Sequence, residues 1–160
     1  MIHVVEAVLP STLEGIGMYA FAYMKSLEEA ILPEGLTTMG EGAFQVCHSL
    51  TTVSIPSTLK VIPYNAFWEC KKLTTLTISE GVEEIGECAF NGCSGLGSES
   101  ENADFSTMFD GPGLHRAEIP GSVKKIGMQA FAYCTMLREV VLNEGIERID
   151  SYAFENCNCL

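Results

Sequence analysis

The chain has no apolar stretch approaching the about 20 residues that a membrane-spanning helix requires, so no span is expected. It is poor in positive charge: 9 Lys and Arg stand against 21 Asp and Glu, giving a formal net charge of −12. Such a surface repels phosphate backbones, which excludes nucleic acid as a partner and favours solubility and basic partners. No Asn-x-Ser/Thr acceptor occurs, so glycosylation gives no hint of secretion. The opening Met1-Ile-His-Val-Val-Glu-Ala-Val has neither the basic region nor the apolar core of a signal peptide. Catalytic and metal signatures are missing too. There is no Gly-x-Ser-x-Gly, no phosphate-cradling glycine loop, no Cys-x-x-Cys and no Cys/His quartet with zinc spacing. The histidines His3, His48 and His115 fall at unrelated positions. No enzyme activity and no cofactor are expected.

What the chain does contain is a 23-residue repeat, Leu-x-x-Val-x-Ile-Pro-x-x-Val-x-x-Ile-Gly-x-x-Ala-Phe-x-x-Cys-x-x. Six copies begin at Val4, Leu27, Leu50, Leu73, Leu114 and Leu137, and Leu160 stands where a seventh would start. The Ala-Phe pair occurs in each, from Ala20-Phe21 to Ala153-Phe154. A fixed period of this size means a solenoid of stacked coils. The expectation is one solenoid over 1–160, numbered here as coils 1 to 6, with an insertion at 96–113.

The first third of each repeat alternates: Leu50, Val53 and Ile55 are apolar, and Thr51, Thr52 and Ser54 are polar. That pattern predicts a short strand with one buried face, ended by Pro10, Pro33, Pro56 and Pro120, which cannot donate to a ladder. Stacking sets these strands parallel, about 4.8 Å apart. The later part of the repeat predicts a short helical turn, because Ala, Phe and Cys follow at spacings that share one helical face. The phenylalanines then form a spine on the core side. The fold class is thus an α/β solenoid with a parallel strand ladder and short helical turns.

The units LTTVSIPSTLKVIPYNAFWEC and LREVVLNEGIERIDSYAFENC resemble the BspA-type, or treponemal-type, leucine-rich repeats. The resemblance implies a right-handed solenoid with strands lining one side. The better-known members of that family are bacterial and protist surface proteins that bind proteins of a host or partner cell.

Five of seven cysteines, Cys47, Cys70, Cys93, Cys134 and Cys157, share one repeat position, where coil 1 has Met24. Methionine there breaks any bridging or ligating column, so the reading is a ladder of buried free thiols, which leans toward a reducing compartment. Cys88 is expected to be the more exposed and reactive thiol, and His48 to point outward while Cys47 points in. Between Gly95 and Leu114 the repeat lapses, with Phe105, Met108 and Phe109 among four acids and no basic residue. Those three side chains pack on the solenoid flank or contact a partner. On the strand face the candidate binding residues are Glu29, Ile31, Thr52, Ser54, Thr75, Thr77, Arg116, Glu118, Arg138 and Glu139. The functional expectation is a non-catalytic protein-binding module of adhesion or scaffold type. The alternative is a segment of a longer solenoid or larger assembly, held end to end through its uncapped ends.

Overall fold

A computed structural model of the chain describes residues 6–95 and 113–160. The strands run β1 (Gly15–Ile16), β2 (Glu29–Ile31), β3 (Thr38–Met39), β4 (Thr52–Ile55), β5 (Val61–Ile62) and β6 (Thr75–Ile78). After these come β7 (Glu84–Ile85), β8 (Arg116–Ile119), β9 (Lys125–Ile126), β10 (Glu139–Leu142) and β11 (Arg148–Ile149). Every pairing is parallel, and the register follows the repeat: Thr52 faces Thr75, Val53 faces Leu76 and Ile55 faces Ile78. The even-numbered strands are the expected ladder. Pro56 and Pro120 immediately follow β4 and β8, as a residue without an N–H requires.

The odd-numbered strands form a second ladder, read from sequence only as a lead into the turn. Each is two residues long; β1 pairs with β3, and β5, β7, β9 and β11 pair in series, with no pairing between β3 and β5 among the described residues. The inward residue is Ile62, Ile85 or Ile126 in the inner coils, all fully buried. A two-residue alternation is too short to register as a strand by period alone.

No helix occurs among the described residues, which corrects the expectation of helical turns. Every Ala-Phe turn holds two residues in the left-handed region, one just before Ala and one two places after Phe. They are Tyr19 and Tyr23, Gly42 and Val46, Asn65 and Glu69, Cys88 and Gly92, Gln129 and Tyr133, and Tyr152 and Asn156, at φ from 53° to 75°. Those reversals divide the amides between two tasks. Ala66 N–H donates within its coil to the Pro63 carbonyl at 3.2 Å, whereas Phe67 N–H reaches the Ala89 carbonyl of the next coil at 2.8 Å. A helix keeps all its bonds inside one segment; this turn shares them between coils and so becomes part of the stack.

The expected inward direction of Ala, Phe and Cys holds. Phe21, Phe44, Phe67, Phe90, Phe131 and Phe154 stack ring on ring with centroids 5.0 to 5.5 Å apart. The four inner rings are completely buried, and one continuous apolar core runs along the axis.

Candidate binding face

The thiol ladder serves the core. Cys47, Cys70, Cys93, Cys134 and Cys157 each donate Sγ–H to the Phe carbonyl of the preceding coil, at 3.1 to 3.5 Å. Burial pushes the Cys47 thiol up to about 11 and Cys157 up to about 12, and it holds Cys70 and Cys93 well above the ordinary value. These are protonated donors and poor nucleophiles. All seven cysteines are free in the structure. Cys88 is half-buried and so more exposed than Cys47, Cys70, Cys93 and Cys134, while burial and then the Glu87 charge raise its pKa. No Cys–His pair forms: Cys47 bonds the Phe21 carbonyl, and His48 is half-buried instead of pointing outward. Its Nε2 is buried without a hydrogen-bond partner among the described residues, and burial lowers its pKa ahead of the charge of Lys71. Among the described residues no cluster of His, Cys, Asp and Glu could hold a metal ion. Nor is any helix there long and apolar enough to cross a membrane.

The even-numbered strands turn alternate side chains outward in two rows. One row carries Glu29, Thr52 and Thr75, then Arg116 and Glu139; the other carries Ile31, Ser54 and Thr77, then Glu118 and Val141. Thr75, Thr77, Arg116, Glu118, Glu139 and Glu29 are exposed, Ile31 is 48 % exposed, and Thr52 and Ser54 are half-buried. The side chains of Thr52, Ser54, Thr75 and Thr77 make no hydrogen bond among the described residues, whereas Thr51 and Thr74, one position earlier, donate Oγ1 to the Glu28 and Thr51 carbonyls. Threonine thus has two roles here: bracing the ladder at one position and facing solvent at the next.

Arg138 departs from the expected face. It precedes β10 at the position of Thr51 and Thr74, and its N–H donates to the His115 carbonyl at 2.9 Å. Val141 stands in the outward row, a residue missed because apolar identity suggested an inward position. Arg116 is held by Glu118 at 2.8 Å and Glu139 at 2.9 Å, which raise its pKa, while Arg116 lowers that of Glu118. Phe105, Met108 and Phe109 lie outside the described residues. The insertion's flanking glycines do meet, since a Cβ on Gly113 would stand 2.9 Å from the Gly95 Cα.

Two hollows were not legible in the sequence. One, of about 430 Å³, opens on the strand face among Thr75, Leu76, Thr77, Arg116 and Glu118. The other, of about 450 Å³, lies on the turn side between Trp68 and Tyr133 above Gly92. The only available signal was the missing side chain at Gly92 between larger neighbours in its row.

The geometry defines a parallel β-solenoid of leucine-rich-repeat type. The model of the BspA type leucine rich repeat region matches residues 3–108 and 105–160 in six copies, and the chain belongs to that family. A leucine rich cell surface protein of Faecalibacterium prausnitzii is similar at 27% identity and a TM-score of 0.71, over 87% of this chain and 32% of that one. A leucine-rich repeat protein of Eubacterium ventriosum shares the fold at 23% identity and a TM-score of 0.75, over 96% of this chain and 43% of that one. The leucine rich repeat protein of T. pallidum does so at 23% identity and 0.63, over 91% of this chain and 71% of that one. The chain therefore spans about a third to two fifths of the first two. No curated protein matches it.

Proposed function

We infer that the chain is a non-catalytic protein-binding segment whose partner lies across the outward rows of the even-numbered strands. The observation that carries this reading is the idleness of those rows. The side chains of Thr52, Ser54, Thr75 and Thr77 have no hydrogen bond among the described residues, although threonine one position earlier braces the ladder. Ile31 adds exposed apolar area beside them. A flat array of short polar groups with an apolar edge supports recognition of a protein surface rather than a small molecule. The charge of −12 favours a basic partner patch. The similarity to a cell surface protein supports adhesion, with Phe105, Met108 and Phe109 as an auxiliary contact.

The test compares two double substitutions that change charge equally. Thr52→Arg with Thr75→Arg alters the face; Tyr64→Arg with Met128→Arg alters exposed turn-side positions. Against partners captured by the unmodified chain, the first pair weakens affinity by about tenfold or more and the second by less than about twofold. Equal responses would refute the face assignment.

A second reading is supported by the last coil. Val140, Ile146 and Phe154 are half-buried and Ile149 is 46 % exposed, although their equivalents in coils 3 to 5, Leu76 apart, are buried. Such an end suits another coil or a second copy of the chain. Concentration-dependent mass by light scattering, abolished by Ile149→Lys, is its expected signature. A concentration-independent monomer would remove the second-copy version.

A further inference from the structure

The strand ladder breaks once, at the coil interrupted by the insertion. β6 pairs with β4 and β8 with β10, but among the described residues no pairing joins β6 to β8. The odd-numbered ladder crosses the same boundary intact, with Glu84 facing Lys125 and Ile85 facing Ile126. Thr75 N–H donates to the Thr51 carbonyl at 3.0 Å and Ser79 N–H to the Ile55 carbonyl at 3.2 Å. The alternation of a parallel ladder therefore turns the Leu76 N–H and C=O toward β8. On the other side Glu139 N–H donates to the His115 carbonyl at 3.1 Å and Asn143 N–H to that of Ile119 at 3.2 Å, which turns the Glu118 main chain toward β6. Two strand edges face each other with no strand partner among the described residues.

Packing records the same opening. Leu76 is half-buried, whereas Val53 and Ala117, at the equivalent position in neighbouring coils, are fully buried. The Phe90 and Phe131 rings tilt by 15°, while the other neighbouring rings tilt by no more than 7°. The Glu80 carboxylate clips the far end, accepting from Gly121 and Ser122 N–H at 3.1 Å each. The opening is a wedge: closed on the turn side, clipped beyond the strands, and open on the strand face.

Resting on the strand-face reading above, we propose that this wedge receives a short extended peptide segment of the partner protein. Unpaired strand edges are templates for strand addition; β6 and β8 stand nearer than the about 9.6 Å of two strand spacings, so the peptide parts them as main-chain bonds to the Leu76 and Glu118 edges set its register. The half-buried Leu76 side chain gives an apolar residue of the peptide its seat. Arg116 is already taken by Glu118 and Glu139, so the rim with Glu80 carries surplus negative charge. The peptide accordingly carries Lys or Arg beside its apolar residue. A hollow of about 430 Å³ suits a few residues.

The probe is a phage-displayed random peptide library panned on the whole chain, with selected peptides resynthesised and titrated. Amide exchange is followed in the same samples. The selected sequences should pair an apolar residue with Lys or Arg, and binding should slow exchange of the Leu76 and Glu118 amides by about fivefold or more. Deleting residues 96–113 restores the 23-residue spacing, lets β6 and β8 pair, and should weaken binding by about tenfold or more. If that chain does not fold, Leu76→Pro replaces it, removing the edge-facing N–H while leaving the bonds to β4. Leu76 and Glu118 amides as protected in the free protein as those of Val53 and Thr77 would overturn the proposal, because the edges would then already be paired. Peptide binding that survives the deletion but is lost in Thr52→Tyr with Ser54→Tyr would overturn the wedge and leave the strand-face reading standing. Binding indifferent to both changes would sink both.

Discussion

At the scale of the residue, the Ala-Phe turn places demands that much of its sequence does not suit. Among the described residues ten that are not glycine sit at positive φ, including the β-branched Val46 and four tyrosines. Each costs of order 1 kcal/mol relative to a residue at ease there. Asparagine tolerates the left-handed region, and Asn65 already holds that place in coil 3. Cys88→Asn and Tyr152→Asn should therefore stabilise the fold, or at worst leave it unchanged, by up to about 1 kcal/mol in urea unfolding. Destabilisation beyond about 1 kcal/mol would mean that those side chains make contacts worth more than the strain. The thiols give a pH prediction with a definite sign. Cys47 and Cys157 titrate near 11 and 12 in the folded chain, against the ordinary 9.0. In the unfolded chain they release protons first, so stability is full below about pH 9 and falls as pH rises through the folded values. Urea midpoints measured from pH 7 to 11 should drop above pH 9, and less steeply in Cys47→Ala. A flat profile would show the thiols to be solvated.

At the scale of the element, the stacked rings couple coil to coil. Phe67 lies between Phe44 and Phe90 at 5.3 Å from each and is fully buried. Truncation to Ala leaves a cavity bounded by two rings and should cost about 3–5 kcal/mol. A loss under about 1 kcal/mol in equilibrium unfolding would contradict the stack. The same turn shows what the sequence could and could not convey. Ala66, Phe67 and Cys70 were placed inward correctly, because their spacing reports which side of the chain is buried. It does not report how the amides are bonded, so a pair of left-handed reversals looked like one turn of helix. Asn65, Gly42 and Gly92 were the available hints, but Tyr, Val, Glu and Gln at equivalent positions concealed them. The short ladder was concealed by its length, since Val61–Ile62 offers one inward residue. On the candidate face the alternation Thr52, Val53, Ser54, Ile55 was legible outright. Arg138 is exposed as expected, but the register puts it at the entry of β10, one residue before the outward rows. The wedge was illegible: it depends on whether two equivalent strands meet, which no single repeat encodes.

At the scale of the whole molecule, a solenoid is stabilised by its nearest-neighbour interfaces, and these are not equal here. Coils 2, 3 and 4 share a three-stranded sheet and the ring stack, and coils 3 and 4 are joined in addition by the pairing of β5 with β7. Coils 5 and 6 join that block through the odd-numbered ladder and the Phe90–Phe131 contact, without strand pairing from β6 to β8 among the described residues. The weaker interface should be where cooperative opening begins. Coil 6 is itself less buried than the inner coils, with Leu142 45 % and Ile149 46 % exposed, so opening on that side uncovers little apolar surface beyond what is already exposed. Native-state hydrogen exchange distinguishes the two blocks, because subglobal units exchange together below the global free energy. The Arg138 and Glu139 amides, bonded to His115, should exchange as one group. That group should be less protected than the Thr74 and Thr75 amides, which are bonded to Thr51. Phe67→Ala should lower the free energy of the second group more than that of the first. Deleting residues 96–113 should bring the two groups together, since a continuous strand ladder makes the boundary ordinary. If both groups already exchange at one free energy in the unmodified chain, the turn ladder and the rings alone carry the coupling. The boundary between coils 4 and 5 would then be as strong as any other.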